Sequence, residues 1–348
     1  FGSSSSRPAR RGPRAAARCA WTRLSRFPHA MASPPCCPRG SHGPAAADTG
    51  YAAEGAWEEI AGMEVYVVGR REDARSILLG VSDVFGPRTG RHLRICDELA
   101  RAVPGSVVVL PDLFHGSPIA KVWPGPISFT ALETIPLLWR IRYRCGWANV
   151  WPDVERLLEA VGAQVGERVP VAAFGFCWGA WLVLKGCTTG RFAAGVGFHP
   201  SLDCSRLQRH PHNTDDDSLA RSLRCPVLLL PAGNDAATLK PGGAFASAAR
   251  VAQPASSSIE YAKMLHGWVN RGTEKDCVVQ QSCSPGAVAE AQASALREAA
   301  AFLARVLGGR AAAAAGVRAA DLAGRTASYS SSSSSPSSTS SLERGACC

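Results

Sequence analysis

Apolar residues between positions 55 and 309 fall into short runs separated by stretches of helical spacing. Glu64–Val68, Ser76–Val81, Ser106–Leu110, Val169–Phe174, Ala193–Phe198, Pro226–Leu230 and Ser257–Ala262 read as strands. Most are apolar throughout rather than alternating, the pattern of strands buried on both faces. Thr89–Ala102, Trp147–Val161, Trp178–Gly186 and Ser284–Leu307 carry helical periodicity. The last of these has Ser284 as N-cap, Pro285 in its first turn, Gly308 as stop, and a core stripe of Leu296, Ala299, Phe302, Leu303 and Val306. Strands alternating with helices predict an α/β fold, a mostly parallel central sheet with helices on both faces.

The ends differ from this body. Residues 1–54 predict a disordered basic extension, 55–309 the folded domain, and 310–348 a disordered Ala/Ser-rich tail that includes the serine run at 330–335. Charge follows the same division. Of the formal +10, residues 1–50 supply +7 and residues 309–348 supply +2, leaving +1 for the body. The basic balance therefore belongs to the ends, and the body has no single-signed field of the kind that binds nucleic acid. No apolar run approaches the ~20 residues of a membrane span. The 13 cysteines include no C-x-x-C pair and no zinc-ligand spacing. They predict a reduced, cytoplasmic chain without a metal. Residues 1–30 have the Arg- and Ser-rich, acid-poor composition of a transit peptide, so a plastid or mitochondrial address is the alternative, and Met31 is a candidate start.

The most specific chemistry lies at Gly-Phe-Cys-Trp-Gly (175–179), between a predicted strand and a predicted helix. This is the nucleophile-elbow pattern G-x-S-x-G with cysteine in the serine position. The glycines allow a strand to turn sharply into a helix. The turn lifts the nucleophile to the helix N-terminus, where negative charge and thiolates are favoured. Read alone, a cysteine here is as readily a small apolar filler.

A thiol nucleophile needs a base, and the base needs an orienting group. The strand Pro226–Leu230 runs into Pro-Ala-Gly-Asn-Asp, placing Asp235 at its C-terminal end, and Ser257–Ala262 runs toward His266. Nucleophile, acid and histidine thus follow three strands in α/β-hydrolase order. His199 ends another strand and is a rival base, but it precedes the acid. The backbone N–H groups of Trp178 and Val84 are the candidate oxyanion donors. The stretch 115–146, with Trp123 and Trp139, is expected to wall the pocket.

Asp-Val-Phe-Gly (83–86), Pro-Asp-Leu-Phe (111–114), Gly-Phe-Cys-Trp-Gly, Gly-Asn-Asp (233–235) and His-Gly-Trp-Val-Asn-Arg-Gly (266–272) together resemble the dienelactone hydrolases (carboxymethylenebutenolidases). Pro-Pro-Cys-Cys-Pro at 34–38 is similar to the start of eukaryotic members. The resemblance implies an α/β-hydrolase fold and a Cys177–His266–Asp235 triad. It also implies cleavage of a small-molecule ester or enol-lactone through a thioester, with no cofactor and no metal; charge and hydropathy add the expectation of no nucleic acid and no membrane. It implies that Asp83 poises the thiol, where bacterial members carry glutamate, and that Arg271 holds a substrate carboxylate. A monomer or weak homodimer is expected. The same fold also serves thioesterases, acyl transferases and non-catalytic binding modules, the last favoured if Trp178 and Trp181 crowd the pocket.

Overall fold

A computed structural model describes residues 50–118, 145–166, 169–202, 216–273 and 284–330, with a few isolated positions before residue 50. Side chains of the last segment are described as far as Gly309. Most of the N-terminal extension, residues 119–144 of the expected pocket wall and residues 331–348 of the tail lie outside this set.

Eight strands form one sheet: β1 (Ala56–Ile60), β2 (Met63–Val68), β3 (Ser76–Val81), β4 (Ser106–Pro111), β5 (Val171–Phe176), β6 (Ala194–Phe198), β7 (Val227–Leu230) and β8 (Ser257–Ser258). Their order is β1-β2-β4-β3-β5-β6-β7-β8. The β1–β2 and β2–β4 pairs are antiparallel, and every pair from β4 to β8 is parallel. The helices are α1 (His92–Ala102), α2 (Trp147–Val165), α3 (Trp178–Gly186), α4 (Asp216–Arg221), α5 (Ala244–Ala252), α6 (Trp268–Arg271) and α7 (Ala287–Ser330).

Strands β3, β4, β5, β6 and β7 are buried along their whole length. Successive side chains feed two cores, as the period of two requires. Ile77 and Leu79 join a cluster with Val154, Leu158, Trp181, Leu182 and Phe245 from α2, α3 and α5. Leu78 joins the opposite cluster with Ile95 and Leu99 of α1 and Leu296, Phe302 and Leu303 of α7. This two-sided burial is the reason these strands are apolar throughout.

Three readings from the sequence need correction. Strand β1 escapes the apolar pattern because Ala-Trp-Glu-Glu-Ile lies at the sheet edge, where its glutamates reach solvent. The strand expected over Ser257–Ala262 pairs only at Ser257–Ser258, and the sheet resumes further on as a single bridge between Ala232 and Tyr261. Gly308 does not stop the last helix, which continues to Ser330. The run Ala311–Ala315 beyond it has the highest helix propensity of any residue type, and the adjacent Gly308 and Gly309 cost only about 1 kcal/mol each.

Candidate active site

The elbow follows from steric exclusion. A Cβ on Gly175 would lie 2.4 Å from the carbonyl oxygen of Gly179. One on Gly179 would lie 2.4 Å from the carbonyl oxygens of both Val81 and Ser82, at the end of β3. Only glycine at both positions lets α3 begin against the end of β3. Between them Cys177 takes φ 54 and ψ −114, a conformation that L-residues rarely adopt and that costs on the order of 1–3 kcal/mol. Its backbone is pinned on both sides. Cys177 N–H donates to Phe198 O at 3.1 Å, and Cys177 O accepts from Ser201 N at 3.2 Å and Trp181 N at 3.3 Å. The cysteine thus sits at the N-cap of a nine-residue helix with no acidic side chain in its first turn.

The loops after β7 and β8 bring up the partners. His266 Nδ1 and Asp235 Oδ1 are 2.6 Å apart, both buried. The other Asp235 oxygen accepts from Ala232 N at 2.7 Å. Asn234 Oδ1 accepts from His266 N at 2.6 Å, and a Cβ on Gly233 would lie 2.0 Å from Ala262 O. The three residues of Gly-Asn-Asp therefore divide the work. Gly233 permits the close approach, Asn234 anchors the histidine backbone, and Asp235 orients its ring. Cys177 is near enough to the same imidazole to act on its titration. Burial disfavours protonated His266, but Asp235, Cys177 and the hydrogen bonds to both outweigh it, and the pKa rises to about 9.

The loop after β3 places Asp83 in a closed polar setting. One carboxylate oxygen accepts from Phe85 N at 2.9 Å. The other accepts from Asn270 Nδ2 at 2.6 Å and lies 3.0 Å from Arg271 Nε. The Arg271 side chain is buried, with its guanidinium over the Phe85 ring, 4.7 Å from the centroid. The cation is thus ion-paired inside the protein in this structure. Val84, next to Asp83, is fully buried. Trp178 and Trp181 belong to the core below the sheet, and the Trp178 indole N–H donates to Cys145 O at 3.2 Å.

Sequence reasoning did not find three further polar residues here: His92 and Asn270, both buried, and the half-buried Asn234. The signal for two of them was present, because Asn234 lies inside Gly-Asn-Asp and Asn270 inside the His-Gly-Trp-Val-Asn-Arg-Gly segment. His199, the rival base, stands edge-on to His266 with ring centroids 4.8 Å apart.

The strand order, the antiparallel second strand and a strained residue between β5 and α3 define an α/β-hydrolase. The chain belongs to the dienelactone hydrolase family, whose model matches residues 63–307. It is 30% identical over 236 residues to an uncharacterised AIM2 family protein of Schizosaccharomyces pombe, covering 67% of this chain and 87% of that one. A second AIM2 family protein of the same yeast is 27% identical over 198 residues, 56% of this chain and 72% of the other. Among solved structures, one described as a candidate dienelactone hydrolase from Klebsiella pneumoniae is similar at 17% identity and a TM-score of 0.48, covering 73% of this chain and 99% of that one. A Thermus thermophilus protein is similar at 14% identity and a TM-score of 0.46, covering 74% and 99%. Among the described residues, no helix is long and apolar enough to cross a membrane.

Proposed function

We propose that this family member hydrolyses a small-molecule ester or lactone with Cys177 as nucleophile, His266 as acid and base, and Asp235 as the group that orients the histidine. The observation that carries the reading is the placing of the three residues in the turns after β5, β7 and β8, with the imidazole 2.6 Å from Asp235 and Cys177 among the groups that raise its pKa. The raised pKa lets the imidazole hold the thiol's proton at neutral pH. The sulfur then attacks the ester carbonyl, and a C–S bond forms. The oxyanion takes hydrogen bonds from the N–H groups of Trp178 and Val84. The C–O bond breaks, and the leaving alkoxide or enolate takes the proton from His266. Water, deprotonated by His266, attacks the thioester, and the C–S bond breaks to return the thiolate.

Asp83 acts in this scheme as the acid that poises the sulfur, with Arg271 as its counter-charge. A carboxylated substrate would compete with Asp83 for Arg271 and loosen that pair. Cys177→Ala should lower hydrolysis of p-nitrophenyl acetate and of a dienelactone by at least about 10³-fold. Wild-type rates in that variant would refute the reading. A Cys177 that iodoacetamide does not alkylate between pH 6 and 9 would favour a non-catalytic binding module instead.

A further inference from the structure

A buried hydrogen-bonded chain runs beside the triad and centres on Asn270, whose side chain is fully buried. Its polarity can be read from one end. His92 Nδ1 lies 2.6 Å from the carbonyl oxygen of Thr89, so that nitrogen is the donor. Burial also lowers the His92 pKa, against the pull of Asp83 and Thr89 and with the help of Arg271, so the ring is neutral and Nε2 accepts. Asn270 Nδ2 supplies the donor, 3.0 Å from His92 Nε2. Its second hydrogen goes to Asp83 at 2.6 Å. The carboxamide oxygen is then the acceptor for His199 Nε2, 3.1 Å away. His199 in turn stands edge-on to the triad imidazole. With both donors and the acceptor used in one direction, the amide has a single orientation.

Asn270 is also the neutral side-chain contact of Asp83, beside the charged Arg271. We propose, building on the cysteine-hydrolase reading, that Asn270 and His199 are positioning residues that hold Asp83 and the face of His266 in fixed relation to the Cys177 sulfur. The physical reason is that a charge-assisted hydrogen bond offsets part of the Asp83 charge. Without it, an uncompensated carboxylate would oppose formation of the thiolate. Among the described residues, the ionisable groups around this cluster include Cys177 before α3, Asp83 after β3, His92 on α1, His199 after β6, Asp235 after β7, His266 just before α6 and Arg271 in its last turn. Arg271 offsets Asp83 in every variant below, so any change reports the amide chain.

The test is iodoacetamide alkylation of Cys177, followed by mass spectrometry across the pH range, together with kcat and KM for p-nitrophenyl acetate. Asn270→Leu is close in shape and removes both donors. It should raise the alkylation midpoint by about one pH unit and lower kcat about tenfold at neutral pH with KM little changed. His199→Phe should move both in the same direction. His199→Gln keeps a donor for the Asn270 oxygen and should recover at least half of that loss. Folded Asn270→Leu and His199→Phe proteins with wild-type midpoints and kcat would overturn the proposal. If Asn270→Leu does not fold, equal behaviour of His199→Phe and His199→Gln overturns it instead. Failure of the underlying reading looks different: Cys177→Ala would then hydrolyse the ester normally, whatever the Asn270 and His199 variants do.

Discussion

His266 carries the pH behaviour of the site. Its pKa is raised from an ordinary 6.5 to about 9, the opposing effect of burial being overcome chiefly by Asp235. A raised histidine stabilises the fold fully below pH 6.5, and that contribution fades as pH climbs through 9. Denaturant unfolding should therefore show the protein losing on the order of 3 kcal/mol between those limits. In the proposed reaction the same proton serves the leaving group, so kcat/KM should fall through about pH 9. Asp235→Asn removes the chief raising influence, leaves burial in place, and should shift that descending limb to lower pH. An unmoved limb would separate the proton donor from His266. Glycine contributes at the same scale: Gly179→Ala puts a methyl group 2.4 Å from two carbonyl oxygens that cannot retreat without moving β3. A loss of at least about 3 kcal/mol, or failure to fold, is expected in thermal unfolding.

At the scale of elements, legibility followed burial. The central strands were readable because both faces are covered and every position is apolar. The elbow was readable because its two glycines have no substitute. Edge strand β1, the shortened β8 and the extension of α7 were not, since edge pairing and helix length depend on neighbours and propensity more than on an apolar pattern. Likewise the candidate triad stood out as three residue types after three strands, whereas His92, Asn234 and Asn270 did not. A buried asparagine or histidine looks like a loop residue until its hydrogen-bond partners are known. The part of α7 that faces the sheet matches its predicted stripe, with Leu303 fully buried among Leu228, Leu230 and Phe302 in one core. Leu303→Ala should cost about 2–5 kcal/mol in urea unfolding, with little effect on the pH dependence of catalysis.

Across the whole molecule, another buried acid ties the start of the domain to its body. Asp97 on α1 accepts hydrogen bonds from Tyr66 on β2 at 2.6 Å, from Tyr51 at 2.8 Å and from Glu54 N at 3.0 Å. Gly55 N donates to the Tyr66 hydroxyl at 2.7 Å, which extends the knot to the residue before β1. Asp97→Asn keeps the shape but turns an amide donor toward these donors. A cost of about 1–3 kcal/mol is expected, with amide exchange rising first over residues 51–60 while the triad loops stay protected.

The amide at the centre of the site has a consequence for proton traffic. An imidazole or a carboxyl group can accept a proton on one atom and release it from another. A carboxamide with both donors and its acceptor committed holds its neighbours by hydrogen bonds but passes nothing between them. Asn270 therefore insulates as well as connects: it joins Asp83, His92 and His199 mechanically while passing no proton from one of them to another. In the proposed reaction the protons of the sulfur and the departing oxygen travel through His266, and a proton-inventory measurement in mixed heavy water should count a single transferring bridge.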